Sequence, residues 1–216
     1  MTLVFFPMSP KISGMCVKID DTESLIAINS KLTYGRQRFT ASHELYHLNF
    51  QENFQKVICG IDFNENKDEE ERNADAFASF FLAPSEALTS FISNVLKKVN
   101  IKFDISDIVK IEQFFGMSRR ATLYRLLKEE LITKDIAESL KTNVISSARK
   151  LGADENLYQA NPEENLYSTT GSYIALVEKL IDKGLISKGK YEEYLLEAHR
   201  PDIVYNLSAN DESSND

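Results

Sequence analysis

His43-Glu44-Leu45-Tyr46-His47 reads H-E-x-x-H in a stretch with helical character. Residues i and i+4 of a helix share a face. Two imidazoles stacked there can chelate one Zn²⁺, and the glutamate beside the first can act as a base on a metal-bound water. The chain has three histidines, and two of them stand in these five positions. The spacing therefore predicts a helix from Gln37 to about Gln51 that carries His43 and His47 as metal ligands and Glu44 as the catalytic base.

A zinc site needs at least one further protein ligand. His199, Cys16 and Cys59 offer the right atoms, and so does the acidic run Asp68-Glu69-Glu70-Glu71. Glu71 is favoured over Glu69 and Glu70 because it opens Glu71-x-x-Ala74-Asp75-x-x-Ala78. These positions share one helix face, with two carboxylates and two small side chains. Small residues allow another helix close, so a carboxylate there can reach a metal held by the first helix. Glu71 lies 24 residues beyond His47, room for a loop and a returning helix. Asp75, one turn on, is placed to accept the outer N–H of a ligand histidine and so fix its tautomer. His199 stands before Arg200-Pro201, where a cation at a helix end is sufficient reason for it. Tyr34 and Tyr46 are candidate oxyanion donors, neither singled out by its position. Cys16 and Cys59 read as ordinary buried thiols.

Two blocks extend the motif. The first is Arg36-x-Arg38-Phe39-Thr40-Ala41-x-His43-Glu44-Leu45-x-His47-Leu48, and the second is Glu71-x-x-Ala74-x-x-Phe77-Ala78-x-x-x-Leu82-x-Pro84. In order and separation they resemble the ImmA/IrrE family of metallopeptidases. Carried over position by position, the resemblance implies metal ligands at His43, His47 and Glu71, a base at Glu44, and an outer-shell acid at Asp75. It implies Zn²⁺ as cofactor and peptide hydrolysis as the reaction. It also implies a protein substrate: a helix-turn-helix repressor encoded nearby, often on a mobile element, whose cleavage relieves repression. Two positions depart from the family pattern. Tyr46 stands where many members have Gly, and points away from the metal face. Gln51 stands where many members have another His, which removes an ionisable group.

The chain has 216 residues, 43 % of them hydrophobic, and a net charge of −8, so no global nucleic-acid footprint is present. Two distant cysteines do not make a disulfide framework. Residues 1–8 have no basic segment and no small-residue cleavage signal, and no apolar run reaches membrane-spanning length. A soluble, reducing, cytoplasmic setting is expected.

The fold class is read as α+β and mostly helical: a small N-terminal β-sheet packed on a zinc-bearing helix pair, followed by helical segments. Met15–Ile19 and Leu25–Asn29 are expected to pair as a hairpin across Asp20–Glu23. Val57–Phe63 is expected as a strand or a loop over the site, Lys67–Leu82 as the second helix, and Pro84–Val99 as a third. The expected division is a metallopeptidase core over 1–100, a helix-turn-helix-like segment over 101–151 and a polar linker over 152–170. A C-terminal helical hairpin over 171–207 and a disordered tail over 208–216 complete it.

Within 101–151, the apolar face of Ile108, Ile111, Phe114 and Phe115 ends at Gly116, and Ser118 is a good N-cap for the next helix. Lys97–Lys128 holds eight basic and three acidic residues. That charge admits direct DNA binding, but the favoured reading is a helix pair buttressing the catalytic fold, with Arg119, Arg120 and Arg125 solvated. The competing function is non-proteolytic: a partner-binding or toxin component of a two-protein regulatory pair. An intact Glu44 argues against it, because binding alone does not need that carboxylate.

Overall fold

The computed structural model describes residues 1–20, 22–51, 56–60 (backbone only), 68–98 and 102–205. Five strands, β1 (Thr2–Phe6), β2 (Ile12–Lys18), β3 (Ser24–Asn29), β4 (Lys56–Gly60) and β5 (Ser168–Gly171), form one sheet in the order β4-β2-β3-β1-β5. β2 and β3 make the expected hairpin, with Cys16 opposite Ile26 and Gly14 opposite Ile28. The Asp20 carboxylate closes its turn by accepting from the Thr22 and Glu23 amides. β1 runs parallel to β3, and β4 is antiparallel to β2. The expected Val57–Phe63 strand is thus present over its first part. Residues 61–63, the Cys59 side chain and the 208–216 tail lie outside the described residues.

Side chains alternate across a sheet, so Cys16, Ile26 and Ile28 share a face with Leu3 and Phe5. That face packs on α1 (Tyr34–Phe50) through Ala41, Leu45 and Leu48. A second face of α1 meets α2 (Glu69–Leu82), where Ala74 and Ala78 are fully buried and let the helices approach. Asp68 caps α2 by accepting from the Glu71 amide at 2.9 Å, a contact worth about 1 kcal/mol. Three glutamates in the first turn complement the helix dipole. Pro84 separates α2 from α3 (Ser85–Asn94).

α4 (Ile105–Phe115) and α5 (Arg119–Lys128) flank Gly116, where the apolar pattern ends and the chain turns with a left-handed φ of +64°. Ser118 caps α5 as its sequence position implies. The main core gathers Phe39 of α1, Ala78, Leu88 and Phe91, and the inner faces of α4 and α5. A Cβ at Gly35 would meet the Met117–Ser118 backbone at 2.8–3.0 Å, so the turn of the helix pair rests directly on the start of α1.

The arginines of this pair are not solvated as expected. Arg119 is 3 % exposed and ion-paired to buried Glu112, and its other nitrogens donate to Leu140 O, Thr142 O and Ser147 Oγ. Arg125 is 1 % exposed; it donates to Ala83 O and Ser85 Oγ and lies 3.8 Å from the Phe80 ring centroid. Only Arg120 of the three is exposed. Two of the three cations read as surface charge are therefore internal struts, which takes them away from any phosphate backbone.

α6 (Lys134–Leu140) and α7 (Val144–Lys150) follow, then α8 (Ser172–Asp182), α9 (Lys188–Glu197) and α10 (Pro201–Val204). α8 and α9 form the expected hairpin around Gly184. The 152–170 stretch, read from composition as a linker, carries structure of its own. Gln159 O accepts from the Tyr34 amide at the start of α1, Tyr158 donates to Glu112, and Ser168–Gly171 pairs with β1.

Candidate metal centre

α1 and α2 bring His43, His47 and Glu71 together, with one ligand atom from each lying within 4.8 Å of the others. His43 and His47 stand one turn apart, and their Nε2 atoms are 3.2 Å from each other. Glu71 comes from the first turn of α2. Its Oε2 lies 3.4 Å from His43 Nε2 and its Oε1 3.5 Å from His47 Nε2. Tetrahedral ligands held about 2.0–2.1 Å from one zinc are about 3.3–3.4 Å apart, so these three groups fit a zinc ion. The histidines are buried, and Glu71 keeps 24 % of its side-chain surface exposed.

Each imidazole turns Nε2 inward and Nδ1 outward. His43 Nδ1 meets Asp75 Oδ1 at 3.0 Å, from one turn beyond Glu71 on the same helix. His47 Nδ1 meets Gln51 Oε1 at 2.6 Å. Burial opposes a charge on His43, but hydrogen bonds to Asp75 and Glu71 and the nearby negative Glu44 outweigh it and push its pKa up to about 9. Hydrogen bonds from His43 and His47 hold the Glu71 carboxyl far below the usual carboxylate range.

Glu44 points to the sheet side of α1 and is fully buried. It comes close to β2 because that strand has no side chain at position 14: a Cβ there would lie 3.2 Å from Glu44 Oε1. Cys16, two residues along β2, is fully buried on the same face. Burial, reinforced by the Glu44 charge, pushes its thiol far up, and Cys16 is not among the side chains grouped as metal ligands.

The Tyr46 ring packs edge-on against His47, with centroids 5.7 Å apart. Tyr46 donates its hydroxyl to Glu70 Oε2 at 3.1 Å and stacks among Phe50 and Phe77. Tyr34 is half exposed at the start of α1, beside the Arg38 guanidinium. His199 packs on Tyr167, away from the triad. Gln51, marked in the sequence only as a departure from the family pattern, is a neighbour of the site through His47. The i, i+4 spacing from His47 was its available signal, but it follows the last helical residue, where side-chain direction is not set by helical geometry.

An H-E-x-x-H helix and a glutamate brought to it by a second helix together define a zinc metallopeptidase of the Glu-ligand type. Residues 3–127, more than half of the chain, match the Peptidase_M78 family, described as IrrE N-terminal-like domain. The chain belongs to that family, in agreement with the resemblance carried by its two motif blocks. No curated protein matches the chain. Among the described residues, no helix is long and apolar enough to cross a membrane.

Proposed function

We propose that this chain is a zinc-dependent endopeptidase that cleaves a helix-turn-helix transcriptional repressor encoded nearby, relieving repression. The observation that carries the chemistry is the convergence of His43 Nε2, His47 Nε2 and the Glu71 carboxylate, with buried Glu44 alongside. The repressor as substrate rests on the family alone.

In this reading His43, His47 and Glu71 would hold the metal. A bound zinc would lower the pKa of its water and polarise the scissile carbonyl. Glu44 takes the proton of the attacking water and delivers it to the leaving amine. Its burial keeps bulk water from competing for that exchange. Asp75 accepts the Nδ1 proton of His43 and keeps Nε2 free to ligate. β4, next to the strand behind Glu44, is an edge of the sheet among the described residues. Its outer backbone groups suit an extended peptide added as a further strand.

The test compares wild type with Glu44→Gln on the adjacent repressor-like protein, following fragments by gel and mass spectrometry. The amide keeps the shape of the carboxylate and loses only the proton acceptor. Cleavage should fall by about 10²–10⁴-fold with zinc content unchanged. Equal relief of repression by both proteins, without fragments from either, would refute proteolysis in favour of a binding role.

A further inference from the structure

The two histidines of the metal centre have chemically different outer partners. His43 has the carboxylate of Asp75, on a neighbouring helix. His47 has the neutral amide of Gln51, at 2.6 Å, the shorter of the two contacts. Gln51 is the C-cap of α1, and its backbone has already turned to an extended conformation with φ −75° and ψ 122°. α1 therefore ends where a residue can leave the helix and still return its side chain to the imidazole four positions back.

A primary amide presents an oxygen or an NH₂ group, and the two ends specify opposite tautomers of the ring. The inner nitrogen settles the choice. His47 Nε2 faces His43 Nε2 at 3.2 Å and Glu71 Oε1 at 3.5 Å, the edge lengths of a shared coordination sphere. A ligand nitrogen must offer its lone pair, so the ring proton belongs on Nδ1 and the amide must accept it through oxygen. His47 is 1 % exposed, so water is a poor substitute for that acceptor.

We propose that Gln51 is a positioning residue of the metal centre: its side-chain oxygen accepts the Nδ1 proton of His47 and holds Nε2 toward the metal. This rests on the zinc-peptidase reading above. The neutral partner also limits the negative charge gathered by Glu44, Glu71 and Asp75. A carboxylate at position 51 would do the same work with one charge more.

The experiment uses the full chain as wild type, Gln51→Ala and Gln51→Glu. Zinc affinity is read by competition with a chromophoric chelator, and ligand geometry by the visible absorption of the Co²⁺-loaded proteins. Removal of an outer-shell partner typically weakens metal binding by about 10–100-fold. Gln51→Ala should show that loss and an altered Co²⁺ spectrum. Gln51→Glu, which keeps an acceptor oxygen at the same reach, should restore both. Equal zinc affinity and an unchanged Co²⁺ spectrum in Gln51→Ala would overturn the assignment. So would a Gln51→Glu protein that folds yet binds zinc as weakly as Gln51→Ala. If Gln51→Ala fails to fold, the Gln51→Glu comparison with wild type decides alone. A wild-type chain without stoichiometric zinc would instead refute the peptidase reading, and this inference with it.

Discussion

A methyl group at position 14 would lie 2.6 Å from Thr40 Cγ2, 2.9 Å from Ala27 O and 3.2 Å from Glu44 Oε1. Two of these neighbours belong to α1 and one to the adjacent strand, so the strain cannot be relieved by one flexible side chain. Gly14→Ala should push α1 from the sheet at the turn that carries the base. Overpacking of this kind costs about 1–3 kcal/mol. The expected result is a lower Tm with a fall in kcat larger than the loss of folded protein explains, measured by thermal unfolding and by peptide cleavage. An unchanged kcat would mean that Glu44 is not held by this contact. The ligands permit a separate check. Purified chain should hold about one zinc, and His43→Ala or Glu71→Gln should each remove most of it, read by elemental analysis. Full occupancy in Glu71→Gln would put the third ligand elsewhere. At this scale much of the candidate site is legible in the sequence, because His43, Glu44 and His47 are local to one helix and Glu71 and Asp75 to another. The role of Gly14 is not legible, since a glycine in a strand does not announce which carboxylate lies above it. The contact of Gln51 with His47 is hidden for a related reason: the residue stands just past the helix, where periodicity stops.

The α4–α5 pair shows how an element can be read correctly and its side chains misread. Its apolar face, Gly116 and Ser118 are short-range signals, and both helices and their turn follow from them. Whether an arginine on α5 meets water or a buried glutamate depends on chain far away, in α6, α7 and the Tyr158 region. Glu112 is fully buried; burial pushes its carboxyl up, and Arg119 and Tyr158 pull it back. Breaking such a pair leaves an uncompensated buried charge, a cost of about 3–5 kcal/mol. Arg119→Glu would add a second carboxylate beside Glu112 and should destabilise by at least that much. Arg120→Glu, on the exposed side of the same helix, disturbs only surface interactions and should cost about 1 kcal/mol or less. Urea unfolding of the two variants checks this. Similar midpoints for both would contradict the buried network. A sequence-specific, salt-sensitive DNA complex abolished by Arg120→Glu would restore the nucleic-acid reading.

At the scale of the molecule, the metal ligands lie between residues 43 and 71, yet the fold that holds them draws on chain a hundred residues later. β5 completes the sheet beside β1, pairing Thr2 with Gly171 and Phe5 with Ser168. Ser172 donates its amide to Met1 O, and its hydroxyl donates to Glu23 Oε2. Leu157 and Tyr158 pack with Val109 and Ala148. None of this is visible in the composition of 152–170, which is polar and acidic, because the pairings are long-range and made largely by backbone. A chain ending at Lys150 keeps every proposed ligand and the whole family match, but loses these contacts. Leu157 and Tyr158 contribute about 1.5–3 kcal/mol each by burial. Glu112 loses a hydrogen-bond donor, at about 1–3 kcal/mol. β1 becomes an open edge, a template for association. The combined loss is comparable to the total stability of an ordinary domain, about 5–15 kcal/mol. The truncated chain should therefore aggregate or unfold near room temperature and fail to retain zinc, measured by light scattering, thermal unfolding and metal content. A soluble truncated chain with the full-length Tm and zinc affinity would show that the first 150 residues are self-sufficient. The later strand and helices would then be an addition to the catalytic fold and not part of what holds it.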